Sequence, residues 1–367
     1  MRLNPWGKLR NNQKKQIFQT KTAKIGFNEY YRLTIIKMGT KSTYRLTRRQ
    51  WIKTALAFGV TPFALTACTR PESLVLAGHV WPGYEFVHMA KGLNWLDTEG
   101  LQLLETASAS ESMNALRNGR ANAAMLTMDE MLRLCSEGMD LKVALIFNIS
   151  MGADVVLSRP EITRLSQLEG KRIGVENSAL GALMLHELLD QAVMTPQDIT
   201  AVPLTIDNHY QAWLENDLDA IITFEPVASH IVQENGAHRL FDSRKMPDMI
   251  FDVLVVKSEI AHKRGKTLRH LINQHFNALH HFRINPMDAS HRMSARLDLS
   301  PESVLELFRG LVIPDELANY AYLSKQDDRL VDATEHLVNV MTAAGIMVED
   351  CDLRNIFTNN YIPRGRL

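Results

Sequence analysis

The sequence predicts an α/β protein of two lobes joined by a two-stranded hinge, with parallel-type sheets flanked by helices. Three observations carry this. From Leu74 onward, short apolar runs alternate with helical stretches, and that alternation implies βαβ units covered on both faces. The same grammar restarts at "QLEGKRIGVE" and gives a second lobe. Two runs, "ADVVLS" (Ala153–Ser158) and "MIFDVLVV" (Met249–Val256), bracket that second lobe. Two such crossings make a hinge, and lobes joined in this way close around a ligand.

In the first lobe, strands are expected at Leu74–Val80, Leu101–Thr106, Ala121–Thr127 and Leu141–Phe147. Each is a buried-strand run bounded by turn signals. Between them lie the helical stretches "YEFVHMAKGLNWL", "SESMNALRNG" and "MDEMLRLCSEG". The second of these has a Ser start and a Gly stop, as a helix should. In the second lobe the strands are Arg172–Glu176, "ITAVPL" and Leu218–Phe224, alternating with "SALGALMLHELLDQAV", "YQAWLEND" and "EPVASHIVQENG". From about Ile260 the chain reads as mostly helical. The expected division is residues 74–154 plus 255–363 for lobe I and 155–254 for lobe II.

The charge balance divides the chain differently. The formal net charge is zero, with 41 basic and 41 acidic residues. Of the basic residues, 14 fall in residues 1–53, against the single acid Glu29, and residues 54–68 carry none. The rest therefore holds 27 basic and 40 acidic residues, a net charge of −13. An acidic body argues against nucleic acid as a partner, because phosphate binding needs clustered cations.

The junction between leader and body is "RLTRRQWIKTALAFGVTPFALTACTR", Arg45–Arg70. Its apolar run, Ala55–Ala67, falls short of the roughly 20 residues a membrane span needs. It fits the apolar region of a secretory signal, with cations before it and small residues at its end. "TRRQWIK" resembles the twin-arginine export motif, and "LTAC" (Leu65–Cys68) resembles a lipobox whose cysteine is lipidated. Residues 38–67 are read as the signal peptide. Residues 1–37 are expected to be an extension before a natural start at Met38, or a disordered basic tail.

"GKRIGVENSALGALML" and "LRNGRANAAMLTMDEML" together resemble segments of the periplasmic solute-binding proteins of ABC transporters. "WLENDLDAIITFEPVAS" repeats the second pattern in the second lobe. The nearest subfamily is the nitrate/sulfonate/taurine and thiamine-pyrimidine type, and the resemblance covers roughly Ser73–Pro363. It implies the type II fold of those proteins, an ABC permease and its ATPase as partners, a monomeric state, and a lipid anchor to a bacterial membrane through Cys68. It implies no cofactor and no metal. Asn122 stands where the family pattern has Asp. The cysteine-rich loop of the pyrimidine-synthesising relatives is absent, which speaks against that enzymatic role.

In open α/β sheets, ligands sit beyond the carboxyl ends of strands. That rule points to Trp81 and Tyr84 after the first strand, Thr127 and Asp129 after the third, and Asn148 and Asp154 after the fourth. In the second lobe it points to Glu176, Asn177, Ser178 and Glu225, with Asp252 on the second crossing. These loops are rich in carboxylates and almost free of Lys and Arg. A neutral or cationic nitrogen compound suits them better than an oxyanion, and aromatic faces also favour cations. The alternatives are plain. Asp129 and Glu225 stand where an acid caps a helix. Asp154 and Asp252 could form hinge salt bridges, and Trp81 could be core packing. Trp213 is read as core.

No P-loop, GxSxG or HExxH motif is present. The histidines, "HFNALHHF" included, lack metal-site spacing. The classes left are a transport binding protein, the same fold holding a sulfonate or oxyanion, a ligand sensor and, with the cysteine-rich loop against it, a pyrimidine-related enzyme. Cys135 reads as a small buried hydrophobe, with pairing to Cys351 left open by the spacing.

The leader reading makes a direct prediction. The mature protein should begin at an acylated Cys68, visible as the intact mass of membrane-extracted protein. A mature chain that retains residues before Cys68 refutes the lipoprotein assignment.

Overall fold

The computed structural model describes residues 73–96, 100–215, 217–343, 345–347 and 352–364. Residues 38–67, read above as a signal peptide, and Cys68 lie outside them. The strands are β1 (Leu74–Gly78), β2 (Leu101–Glu105), β3 (Ala123–Thr127), β4 (Leu141–Ser150), β5 (Asp154–Ser158), β6 (Arg172–Glu176), β7 (Thr200–Leu204), β8 (Ala220–Phe224), β9 (His238–Asp242), β10 (Phe251–Lys257) and β11 (Leu311–Val312). The helices are α1 (Glu85–Gly92), α2 (Ala109–Arg117), α3 (Met128–Ser136), α4 (Ala179–Ala192), α5 (Ile206–Leu214), α6 (Val227–Asn235), α7 (Ser258–Lys263), α8 (Gly265–Ile284), α9 (Pro286–Leu297), α10 (Pro301–Leu307), α11 (Glu316–Tyr322) and α12 (Arg329–Ala343).

Two sheets result. The six-stranded sheet runs β11-β4-β10-β3-β1-β2, and the five-stranded sheet runs β7-β6-β8-β5-β9. The α/β class is as expected, but both sheets are mixed rather than parallel throughout. β1 pairs in parallel with β2 and β3, and β6 with β7 and β8. β10 is antiparallel to β3 and β4, and β5 is antiparallel to β8 and β9. The reason is the path of the chain. It leaves the first sheet at Ser150 and enters the second at Asp154, then returns between Asp242 and Phe251. A strand entered straight from the other sheet runs back against its neighbours.

β9 and β11 escaped the sequence reading. "HRLFD" is polar and sits at a sheet edge, and β11 is only two residues long, so neither gives an apolar run. β4 continues through Ser150, beyond its expected end, and α5 begins at Ile206, ahead of the "YQAWLEND" stretch.

The helices bury the faces their sequences prescribe. α8 buries Leu268, Leu271, Ile272, His275, Phe276 and Leu279, the spacing of one face of a 3.6-residue period. Phe86 of α1 meets the rings of His275, Phe282 and Phe308 at 5.5–5.6 Å between centroids. Trp213 is core, as expected, with the Arg159 guanidinium 3.8 Å from its ring centre. Asn122 accepts from Val75 N–H and donates to Ser73 C=O. The second bond needs an amide, because an ionised Asp has no proton to give. Cys135 is half-buried at the end of α3 and disulfide-bonded, which corrects its reading as a plain hydrophobe. Cys351, the partner weighed for it, lies outside the described residues. Among the described residues no helix is long and apolar enough to cross a membrane.

One buried side chain fastens α11 to the sheet. Asn319 accepts from Ile146 N–H at 2.7 Å and donates to Ile146 C=O at 3.1 Å. It thereby satisfies a backbone pair in mid-strand β4. Asn319→Leu should orphan both groups at about 1–3 kcal/mol each. The expected result is a urea-unfolding midpoint lowered by the equivalent of about 2–5 kcal/mol with an unchanged slope.

Candidate functional site

The carboxyl ends of the parallel strands and the first residues of the antiparallel strands lie at one edge of each sheet. Registry makes this explicit: Asp252 pairs with Thr127, the last residue of β3, and Asp154 pairs with Phe224, the last residue of β8. Thus β10 and β5, by running backwards, bring their leading acids to the edge where β1, β3, β6 and β8 end. A cavity forms there. His79, Trp81, Thr127, Glu130 and Asp252 line it from the six-stranded side, and Asp154, Glu176, Leu180 and Phe224 from the five-stranded side. Its volume is about 10 Å³, room for about one water.

Four carboxylates face this space, at 1% exposure for Glu130, 2% for Asp154 and Asp252, and 6% for Glu176. No Lys or Arg is among the lining residues. One oxygen each of Glu130, Asp154 and Glu176 has no hydrogen-bond partner, nor has Nδ1 of His79. Buried polar groups are normally satisfied, so these atoms leave the hydrogen bonding around the cavity unfinished.

Glu130 shows how one side chain does two things. Its Oε2 accepts from Thr127 N–H at 2.9 Å and caps α3, which leaves Oε1 for the cavity. Asp252 is held by both oxygens. Tyr84 donates its hydroxyl to Oδ1 at 2.6 Å, and Asn148 donates Nδ2–H to Oδ2 at 2.7 Å. Asn148 in turn accepts from Trp81 Nε1–H at 3.0 Å. The Trp81 ring stands edge-on to Phe224 across the cleft, 5.7 Å between centroids. Gly83 permits the arrangement, since a Cβ there would lie 1.7 Å from Asn148 Oδ1.

Burial without cations sets the protonation. It pushes Asp154 up to about 7, with Asp129 and Glu225 adding repulsion against the pull of Ser150. It pushes Asp129 up to about 6 against the pull of Thr127. It raises Glu130 well above the ordinary value, helped by Asp129. It raises Asp252 well above the ordinary value, with the Tyr84 bond opposing. Glu176 is also raised by burial. His79 is lowered to about 4 by burial and then by Arg296, so it is a neutral ring.

Of the residues the sequence singled out, the structure brings Trp81, Thr127, Asp154, Glu176 and Asp252 to the cavity. Tyr84 and Asn148 stand behind Asp252 and orient it; Asn148 lies within β4, not in a loop. Asp129 is buried one residue from the lining residue Glu130, and Glu130, not Asp129, caps the helix. Ser178 caps α4, accepting from Gly181 N–H at 3.0 Å. Glu225 accepts from Ser229 N–H and lies 3.7 Å from Arg239, turned to capping and pairing. Asn177 is exposed. The sequence reading passed over His79, Glu130, Leu180 and Phe224, although all four lie in the strand-end segments it pointed to (79–85, 127–130, 176–181 and 223–226), and it passed over Ala109 of α2 altogether. Among the described residues no group of three or more His, Cys, Asp or Glu is arranged to hold a metal.

A family model described as NMT1/THI5 like matches residues 81–289. No curated protein matches the chain in sequence. Solved structures match it throughout its two-sheet body. The alkanesulfonate-binding protein of Xanthomonas axonopodis pv. citri, bound to MOPS, aligns with a TM-score of 0.65 at 16% identity, covering 79% of this chain and 98% of its own. The periplasmic nitrate-binding protein of Synechocystis PCC 6803 aligns at 0.61 and 11% identity, covering 78% and 85%. A desulfurization enzyme aligns at 0.56 and 16% identity, covering 78% and 97%. At these identities the likeness establishes a shared fold, that of the periplasmic binding proteins.

The buried acids predict a pH signature in the ligand-free protein. A carboxyl whose folded pKa is raised contributes stability that is full below its unfolded value of about 4 and is lost as pH rises through the folded value. For Asp154 the window runs from about 4 to about 7. Asp154→Asn should therefore melt close to the wild type at pH 4.5 and progressively above it by pH 8, as read by calorimetry. A constant difference across that range contradicts a buried, uncompensated Asp154.

Proposed function

The chain belongs to the NMT1/THI5-like family, and from that premise we propose that it is an extracytoplasmic binding protein for a neutral or cationic nitrogen compound. In this reading residues 74–154 with 255–363 form one lobe and 155–254 the other. The solute is held between them and handed to an ABC permease, with the protein anchored through Cys68. The observation that carries the reading is the set of four buried carboxylates around one cavity, unaccompanied by Lys or Arg and with three unpartnered oxygens. An ammonium or amidinium would supply the missing donors and the countercharge together. The Trp81 and Phe224 rings would cover its apolar part. The disulfide at Cys135 supports an oxidising compartment, where such bonds persist.

A second reading has its own support. The sulfonate- and nitrate-binding neighbours share the fold, and carboxyls pushed up toward neutrality can donate protons to an oxyanion. A cationic solute and an oxyanion differ in sign with pH. A cation binds the ionised acids, so its affinity should rise from pH 5 to pH 8. An oxyanion would need the protonated acids, so its affinity should fall over the same range. Calorimetric titration at several pH values, after a thermal-shift screen of amines, pyrimidines, sulfonates and nitrate, separates them. A ligand at 100 times its Kd adds about 2.7 kcal/mol of stability. Asp252→Asn or Glu130→Gln should weaken an amine about 10- to 100-fold, the loss of one charged hydrogen bond of about 1.5–3 kcal/mol. A sulfonate that binds more tightly at low pH, with no amine binding, overturns the nitrogen reading. Turnover of any bound compound would move the protein from the binding class to the enzyme class that the desulfurization enzyme represents on this fold.

A further inference from the structure

Behind the acidic cavity lies a second one, also of about 10 Å³. Asp154, Glu176, Leu180 and Phe224 line both, so the two spaces share a wall. The inner one is built within the five-stranded half and closed by Met184 of α4, His209 of α5, and Ile222 and Thr223 of β8. His209 is the only nitrogen-bearing side chain among its lining residues. It is 1% exposed, its Nδ1 lies 3.1 Å from the Thr223 hydroxyl, and its Nε2 has no partner.

A buried imidazole with one nitrogen engaged and the other bare is an unfinished hydrogen-bond chain. Its surroundings decide what can finish it. Leu180, Met184, Ile222 and Phe224 make the space largely apolar, and the acids Asp154 and Glu176 on the wall it shares with the first cavity disfavour an anion there. Burial lowers His209 to about 4, so the ring is neutral and attracts no charge. Because Thr223 can donate or accept, the ring can present Nε2 as acceptor or as N–H.

We propose that this inner cavity is a second subsite, in which His209 Nε2 hydrogen-bonds an uncharged polar group of the solute, such as a hydroxyl, a carboxamide or a ring nitrogen. The solute is then two-ended, with a head among Glu130, Asp154, Glu176 and Asp252 and a polar tail at His209. The inference rests on the cleft being a solute site, and it adds the tail to the head-group reading given above. Gly181 also lines this space. A Cβ there would lie 2.1 Å from Glu176 C=O, so the α4 start packs onto the β6 end as only glycine allows.

The test uses paired probes in two head-group series. Alkylamines of three to six carbons are compared with the amino alcohols of the same length, and alkanesulfonates with their terminal hydroxy counterparts. Affinities are measured by calorimetry on the mature protein. In whichever series binds, the hydroxylated member should bind about 3- to 10-fold tighter, the worth of one net hydrogen bond. His209→Leu should erase that gain, so that the two members of each pair bind alike, and His209→Gln should restore part of it. The histidine ¹⁵N resonance of His209 Nε2 should shift only with the hydroxylated probe. A hydroxyl gain confined to the sulfonates would sustain the subsite and refute the nitrogen head group. Amines that bind with no hydroxyl gain would do the reverse. A gain that survives His209→Leu, or a failure of all four classes of probe to bind, overturns the subsite.

Discussion

A carboxylate withdrawn from water without a countercharge costs several kcal/mol, and this chain withdraws four of them around one cavity. That cost organises the rest of the structure near the cleft. Asp252 is braced by Tyr84 and Asn148, Asn148 by Trp81, and the loop carrying Trp81 can approach only because residue 83 has no side chain. Glu130 spends one oxygen on its helix and leaves the other unbonded. A fold selected for stability alone would place leucines at these positions. Retaining acids there is the observation on which the proposed binding site rests, and their polarity is the ground for the proposed ligand class.

Much of this was legible in the sequence, and for a physical reason. Alternating apolar runs fix where strands end, and strand ends fix the cleft, so Trp81, Thr127, Asp154, Glu176 and Asp252 could be named without coordinates. What escaped was decided below the resolution of pattern. Asp129 and Glu130 are adjacent acids at one helix start, and only the helical turn decides that residue 130 reaches back to cap Thr127 and reaches forward to the cavity. Asn148 looked like a loop residue because β4 outruns its apolar stretch by three positions. β9 is an edge strand with polar residues, and its pairing with β5 lies in backbone bonds that composition does not record. His209 sits in a helix whose start was placed late, so its face could not be read.

The structural neighbours sharpen the question without answering it. One fold carries a sulfonate binder, a nitrate binder and a desulfurization enzyme at similar likeness to this chain. Fold does not carry function. The difference must lie in side chains at the strand ends, and here those are acids and aromatics.

The placement of the acids also ties binding to the relation between the two sheets. Glu130 and Asp252 belong to the six-stranded half, and Asp154 and Glu176 to the five-stranded half. The crossings that join the halves lie directly beside them. Ser150 and Ser243 hydroxyls meet at 2.8 Å, Gly152 N–H donates to Ser243 at 2.6 Å, and Asp154 follows only two residues later. When all four carboxyls are ionised, repulsion between the two pairs acts across the cleft and drives the halves apart. A cation between them converts that repulsion into attraction, and the low dielectric of a cavity with room for one water magnifies the change. Under the cation reading, then, the same four groups that select the solute also couple its charge to closure. A neutral solute must reach the same end by holding protons on them, and that is why the pH dependence of binding is so direct a measure of what the cleft contains.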